Sequence, residues 1–228
     1  ILNALFNERK LKNFEKKFKE LDSIGVLCEK SYNLYAVYLS SKNEYKNGLF
    51  YLKKSLDLNP DYTPSKINIG AIYFKLDQIL DAEKIAIEVA KDDPKNKSNL
   101  YLLSEVYIKK NDLKTAKVYF DKIIDTYPTD FNAYFRIGMF YFNRDEFELA
   151  EEYFRNSVQL NNSFVENEYF LALTLKKLKK FDDAIGVLRN LASQNLKVSK
   201  IYYLLSDILR GLGEDKKSNE VLMNYLEK

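Results

Sequence analysis

Residues 131–162 read FNAYFRIGMFYFNRDEFELAEEYFRNSVQLNN, two apolar-rich arms joined by a polar break at RDEF, 144–147. Apolar residues recur at helical spacing in both arms, in the second through Phe147, Ala150, Phe154 and Val158. The stretch therefore predicts two helices and no strand. Its first arm also packs five aromatics, an Ile, a Met and a Gly around one Arg at 134–142, YFRIGMFYF. That is more apolar surface than one helix face requires.

The same stretch repeats along the chain. Alanines fall at Ala82, Ala116, Ala150 and Ala184, prolines at Pro60, Pro94 and Pro128, and tyrosines at Tyr73, Tyr107 and Tyr141, each 34 residues after the last. Gly70 and Gly138 lie two such steps apart. Several columns in one frame define a repeat and not a coincidence. Copies are expected at 29–62, 63–96, 97–130, 131–164, 165–198 and 199–228, after a partial copy at 1–28. In that partial copy Phe14, Phe18 and Leu21 fit a second helix, with Ile1 and Leu5 in the remains of a first. Polar breaks such as KNDL at 110–113 and GEDK at 213–216 separate the arms, and the prolines follow the second arm, where a helix cannot continue. The fold class is all-α.

This pattern resembles the tetratricopeptide repeat (TPR) family over essentially the whole chain. The third copy supplies Leu100, Leu103, Ser104, Tyr107, Ala116, Phe120, Ile123 and Pro128 to the family pattern. The fourth supplies Tyr134, Ile137, Gly138, Tyr141, Ala150, Phe154 and Ser157, with Asn162 in the proline place. Lys66 and Glu168 depart from the pattern at the bulky place, and Gly48 and Ser218 at the alanine. The resemblance implies a right-handed α-solenoid of antiparallel helix pairs forming one TPR superhelix over 1–228. It also implies a non-catalytic scaffold that binds another protein.

On a helical wheel Tyr134, Ile137, Gly138 and Tyr141 share one side, the expected core, where small residues let helices approach closely. Phe135, Met139 and Phe142 fall nearly opposite. The resemblance turns that second face towards a concave groove. It repeats as Ile67, Tyr101, Phe135, Tyr169 and Tyr203, and seven residues further on as Phe74, Ile108 and Phe142, with Ala71, Met139 and Leu173 between. Covering about half of each of the eight column side chains, roughly 100 Å² apiece, would bury on the order of 800 Å², one side of a standard interface. Two readings stay open: a peptide groove, or a second core layer between neighbouring first helices.

Cations outnumber acids on these positions: Lys30, Lys75, Lys109, Lys176, Lys177, Lys200 and Arg210 face Glu105, Glu166 and Asp207. The expected partner is an apolar or amphipathic, partly acidic segment. Chaperone-binding members of the family hold a terminal carboxylate with paired Lys and Asn residues. Here the corresponding opening pair is Asn33 and Val37, with Asn68 and Arg136 as later members, an incomplete clamp.

Composition narrows the alternatives. There is no histidine and one cysteine, Cys28, which removes His-based nucleophile pairs, internal disulfides and cysteine metal sites. No catalytic residue, metal or cofactor is expected. No 34-residue block exceeds two units of net charge, so no basic stripe for nucleic acid is present, and no apolar run is long enough to insert in a membrane. Self-association through uncapped ends is the structural alternative, and an RNA-binding helical repeat the more remote one. The N-terminus ILNALFNERK reads as a cut end of a longer protein. A single cysteine suits the cytoplasm and also a bacterial envelope protein.

Overall fold

The computed structural model describes residues 11–194 and 198–226. Within them are thirteen helices and no strand. They divide into two compact units, residues 1–126 and 127–228. Ile1 and Leu5 lie outside the described residues.

The first unit contains α1 (Leu11–Ser23), α2 (Glu29–Ser41), α3 (Tyr45–Leu58), α4 (Thr63–Lys75), α5 (Ile79–Asp92), α6 (Lys97–Lys109) and α7 (Leu113–Thr126). The second contains α8 (Phe131–Phe142), α9 (Phe147–Leu160), α10 (Val165–Lys177), α11 (Phe181–Ser193), α12 (Ser199–Gly211) and α13 (Asp215–Leu226). First helices thus begin at 29, 63, 97, 131, 165 and 199, where the repeat frame places them. The architecture is an all-α helical-repeat solenoid.

Each first helix stops in the same way. The N–H groups of Glu44, Gln78, Asp112, Glu146, Lys180 and Glu214 each bond a carbonyl five residues back. The residue before each is left-handed: Asn43, Asp77, Asn111, Asp145 and Lys179 at φ between 57° and 63°, and Gly213 at 77°. This is the Schellman C-cap. Helix starts are less uniform. Asn96 caps α6 by accepting from the Asn99 N–H, Asp130 caps α8 by accepting from the Asn132 N–H, and α4 carries Pro64 in its first turn.

In the first unit Phe14 and Phe18 of α1 are fully buried with Tyr35, Tyr38 and Leu39 of α2, and Leu21 packs on them. Phe18 stacks on Tyr35 with centroids 3.7 Å apart. The next layers are Ala36, Leu52, Ile69 and Ile72, then Ala82, Ala86, Leu102, Leu103 and Val106. In the second unit Ala150, Phe154, Leu175, Ala184, Leu188 and Ile201 are completely buried. A Cβ added at Gly138 would lie 2.7 Å from the Phe154 ring, and one at Gly70 2.7 Å from Leu102, so both glycines mark close helix crossings. Ser157 donates to the Phe131 carbonyl at 2.7 Å, as Ser55 does to that of Glu29 at 2.8 Å three copies earlier. At the far end Leu222 and Tyr225 are half-buried, the latter against Tyr202 at 4.9 Å.

Candidate functional site

The face that first helices turn away from their core differs between the units. In the first unit Ile67 and Phe74 of α4 and Tyr101 and Ile108 of α6 are all half-buried. Phe74 leans on the layer formed by Ala82, Ala86, Leu102, Leu103 and Val106. Between α2 and α4 a cleft of about 190 Å³ stays open, lined by Val37, Ser40, Tyr45, Asn68, Ala71, Ile72 and Lys75. Lys75 is exposed and makes no ion pair among the described residues, whereas Lys109 pairs with Asp77 at 3.3 Å.

In the second unit the corresponding face is filled by rings. Phe135 lies 5.7, 5.4 and 5.8 Å from Phe154, Phe164 and Phe170. Phe142 lies 5.5 and 5.9 Å from Phe147 and Phe170. Met139 and Leu173 are half-buried beside them. Tyr169 packs on Phe170 at 5.6 Å and receives the Lys200 ammonium over its ring at 4.5 Å. Tyr203 is the exception in its column, 59% exposed. Lys176 pairs with Asp207, while Arg210 is exposed and unpaired among the described residues.

Asn33 is not available as a clamp residue. Its side-chain oxygen accepts from Asn68 at 2.8 Å and from Ser65 at 3.1 Å, inside the first unit's own packing.

Two carboxyls stand out electrostatically. Hydrogen bonds from Lys19, Tyr38 and Lys42 hold Glu15 down at about 2. Glu168 is 4% exposed, with Oε2 lacking a partner, and burial pushes its carboxyl above the ordinary range while a hydrogen bond with Asn190 opposes the shift. In the same place three copies earlier, Lys66 reaches the surface and pairs with Glu88 at 3.0 Å. No cluster of three or more His, Cys, Asp or Glu residues able to hold a metal occurs among the described residues. No helix among them is long and apolar enough to cross a membrane.

The wheel located the columns but missed the cleft. Its signal was present: the column Phe74, Ile108, Phe142 continues one copy back to Ser40, a small residue in a bulky seat.

Helix pairs stepped by 34 residues, four of them with an alanine at the same place of the second helix, define a helical-repeat protein. Residues 29–62 match the tetratricopeptide repeat profile, and residues 109–191 match that of anaphase-promoting complex, cyclosome, subunit 3. These matches support a TPR domain protein; members of that family generally serve as non-catalytic scaffolds and bind other proteins. Solved structures agree on the fold. PilF of Pseudomonas aeruginosa superposes with a TM-score of 0.72 at 13% identity, over 86% of this chain and 89% of that one. A chain of the APC/C hetero-tetramer Cut9–Hcn1 gives 0.71 at 16% identity, over 99% of this chain and 45% of its own length. MamA gives 0.63 at 22% identity, over 72% and 90%. No curated protein matches in sequence.

Proposed function

We propose that this chain is a protein–protein interaction scaffold that holds an apolar or amphipathic, partly acidic segment on the outward face of its first helices. The observation that carries the reading is the α2–α4 cleft, apolar in lining and edged by the unpaired Lys75. An opening of this kind in a unit whose Ile67, Phe74, Tyr101 and Ile108 are only half-buried is what a docking surface offers and a sealed core does not. In the second unit the same reading assigns docking to the more open part of the face, around Tyr169, Tyr203 and Arg210. The unpaired cations favour acidic segments over basic ones. Binding of this kind uses backbone shape and a few side-chain anchors and requires no catalytic group.

A displayed library of random short segments tests this directly. Selection on the folded chain is expected to enrich bulky apolar residues next to Asp or Glu. A Lys75→Glu, Arg210→Glu variant, folded by circular dichroism, should lose those clones. Enrichment of basic segments, or equal recovery on the charge-reversed variant, would sink the proposal.

A further inference from the structure

The α2–α4 cleft has a cause in the repeat frame. Phe74, Ile108 and Phe142 occupy one place in successive first helices, and Ser40 occupies it in α2. Val37 and Ala71 keep the neighbouring walls low, where the fourth copy has Met139. A large side chain is therefore missing from the chain's own pattern at this point.

The cleft cannot close over the gap. Its base is the crossing of α2, α3 and α4, where a Cβ at Gly48 would already meet Ile72 at 3.1 Å, Ser40 Oγ at 3.2 Å and the Ala36 carbonyl at 3.4 Å. Each polar side chain in the walls other than Lys75 already makes a hydrogen bond within the protein. Ser40 Oγ donates to the Ala36 carbonyl at 2.8 Å, Asn68 Nδ2 to Asn33 at 2.8 Å, and the Tyr45 hydroxyl to Asn43 at 2.9 Å. What remains for an occupant is apolar surface from Val37, Ala71 and Ile72, with one uncommitted charge, Lys75, at the edge.

Size and charge select the occupant. At about 190 Å³ the cleft falls below the roughly 300–1,000 Å³ of sites that enclose a whole small ligand. We infer that the cleft is a seat for one bulky apolar side chain, aromatic or leucine-sized, from a partner segment that places a carboxylate beside Lys75. This deepens the scaffold reading and rests on it. The partner's side chain completes the column that Ser40 interrupts, and the ammonium fixes its direction of entry.

The test uses the full chain with labelled methyl groups and two small probes sharing one ring, 3-phenylpropionate and 2-phenylethylammonium. The Ala71 and Ile72 methyl signals should shift with the anion, and about two- to fivefold less tightly with the cation, the preference an exposed ion pair supports. Lys75→Glu should reverse that order. Ser40→Phe should supply the missing ring, raise the melting temperature and abolish both shifts. If its ring proves too large to fold in, Ala71→Leu fills the same space from the opposite wall and should also block the probes. No methyl shift with either probe, or the same shift in the filled variants, would overturn the seat. A silent cleft together with a library that still yields acidic, apolar segments removes the seat alone. A library that fails while the probes bind removes the scaffold reading and leaves a small apolar pocket.

Discussion

In the first unit, Ser40 lines an open cleft; in the second, Phe142 stands in the same place of its helix with other rings against it. The helices around the two residues start in the same frame and end in the same left-handed cap. Two further pairs in register differ as sharply. Lys66 reaches Glu88 at the surface, while Glu168 is buried with one carboxyl oxygen unmatched. Asp77 turns the chain after α4, and Lys179 does so after α10. The alanines, glycines and serines at helix crossings hold the backbone constant, and the remaining positions are free to specialise each unit. The first unit leaves space and charge on its surface. At this place in the frame the second fills the space with Phe142, while it keeps a cleft of about 280 Å³ between α11, α12 and α13, lined by Arg189, Ala192, Tyr202, Leu205 and Val221.

The largest expected effect comes from opening the second unit to match the first. Phe142→Ser removes a half-buried ring from contact with Phe147 and Phe170 and should cost about 2–4 kcal/mol, slightly under the range for a fully buried phenylalanine. Urea unfolding followed by circular dichroism measures it. A loss below about 0.5 kcal/mol, in the range of ordinary surface changes, would mean that the rings of the second unit are not core and that both faces are equally available for docking.

This contrast marks how far the sequence could be read. Helix starts and the tight contact at Gly138 were legible, because each depends on residues inside one helix pair recurring in a fixed frame; the contact at Gly70 is made by Leu102 of the next copy. The wheel also marked out a second apolar face on the first helices. It could not say what covers that face, because the covering atoms come from elsewhere. Phe135 is screened partly by Phe164, which lies outside the arms on which the wheel is drawn, and by Phe170 of the next copy. The cleft was hidden for a related reason: its one mark is Ser40 at the head of the column Phe74, Ile108 and Phe142, and a search for apolar residues passes over it. The turn column Asn43, Asp77, Asn111, Asp145, Lys179 and Gly213 was present in the sequence, but its mixed chemistry conceals it until the left-handed backbone shows what the residues share.

A middle-sized effect separates the two charged departures from the pattern. Burial raises the Glu168 carboxyl above its ordinary value in the folded chain, so the folded state keeps a proton that the unfolded state releases. Its contribution to stability therefore falls as pH rises through and above the carboxylate range. Glu168→Gln removes the titration while keeping a group that can bond Asn190. The variant should match the wild type at acid pH and exceed it by about 1–2 kcal/mol at neutral pH, the scale of an unsatisfied buried polar group. Glu15 moves in the opposite sense, its contribution fading as pH falls from the ordinary carboxylate value towards about 2, so the difference between variant and wild type is the quantity to follow. A pH-independent difference would show that the Glu168 carboxyl titrates normally.

The smallest effect concerns the turns. Asn and Asp tolerate the left-handed region better than other side-chain-bearing residues, and glycine enters it without steric cost. Lys179 has neither advantage, and its φ of 59° matches that of Asp145 at the same place one copy earlier. The Schellman bonds around it, from Lys179 N–H to the Lys176 carbonyl and from Lys180 N–H to that of Leu175, hold the residue where its Cβ is crowded. Lys179→Gly should raise stability by about 0.5–1 kcal/mol, the steric relief less the entropy that glycine loses on folding. The matching change in the first unit, Asp77→Gly, replaces a residue already suited to the region and also removes the partner of Lys109, so it should gain less or lose. Melting temperatures of the two variants decide the point. Equal gains would assign the cost of the turn to the backbone alone, whereas a gain confined to Lys179 would show that the second unit carries a strain that the first avoids by its choice of residue.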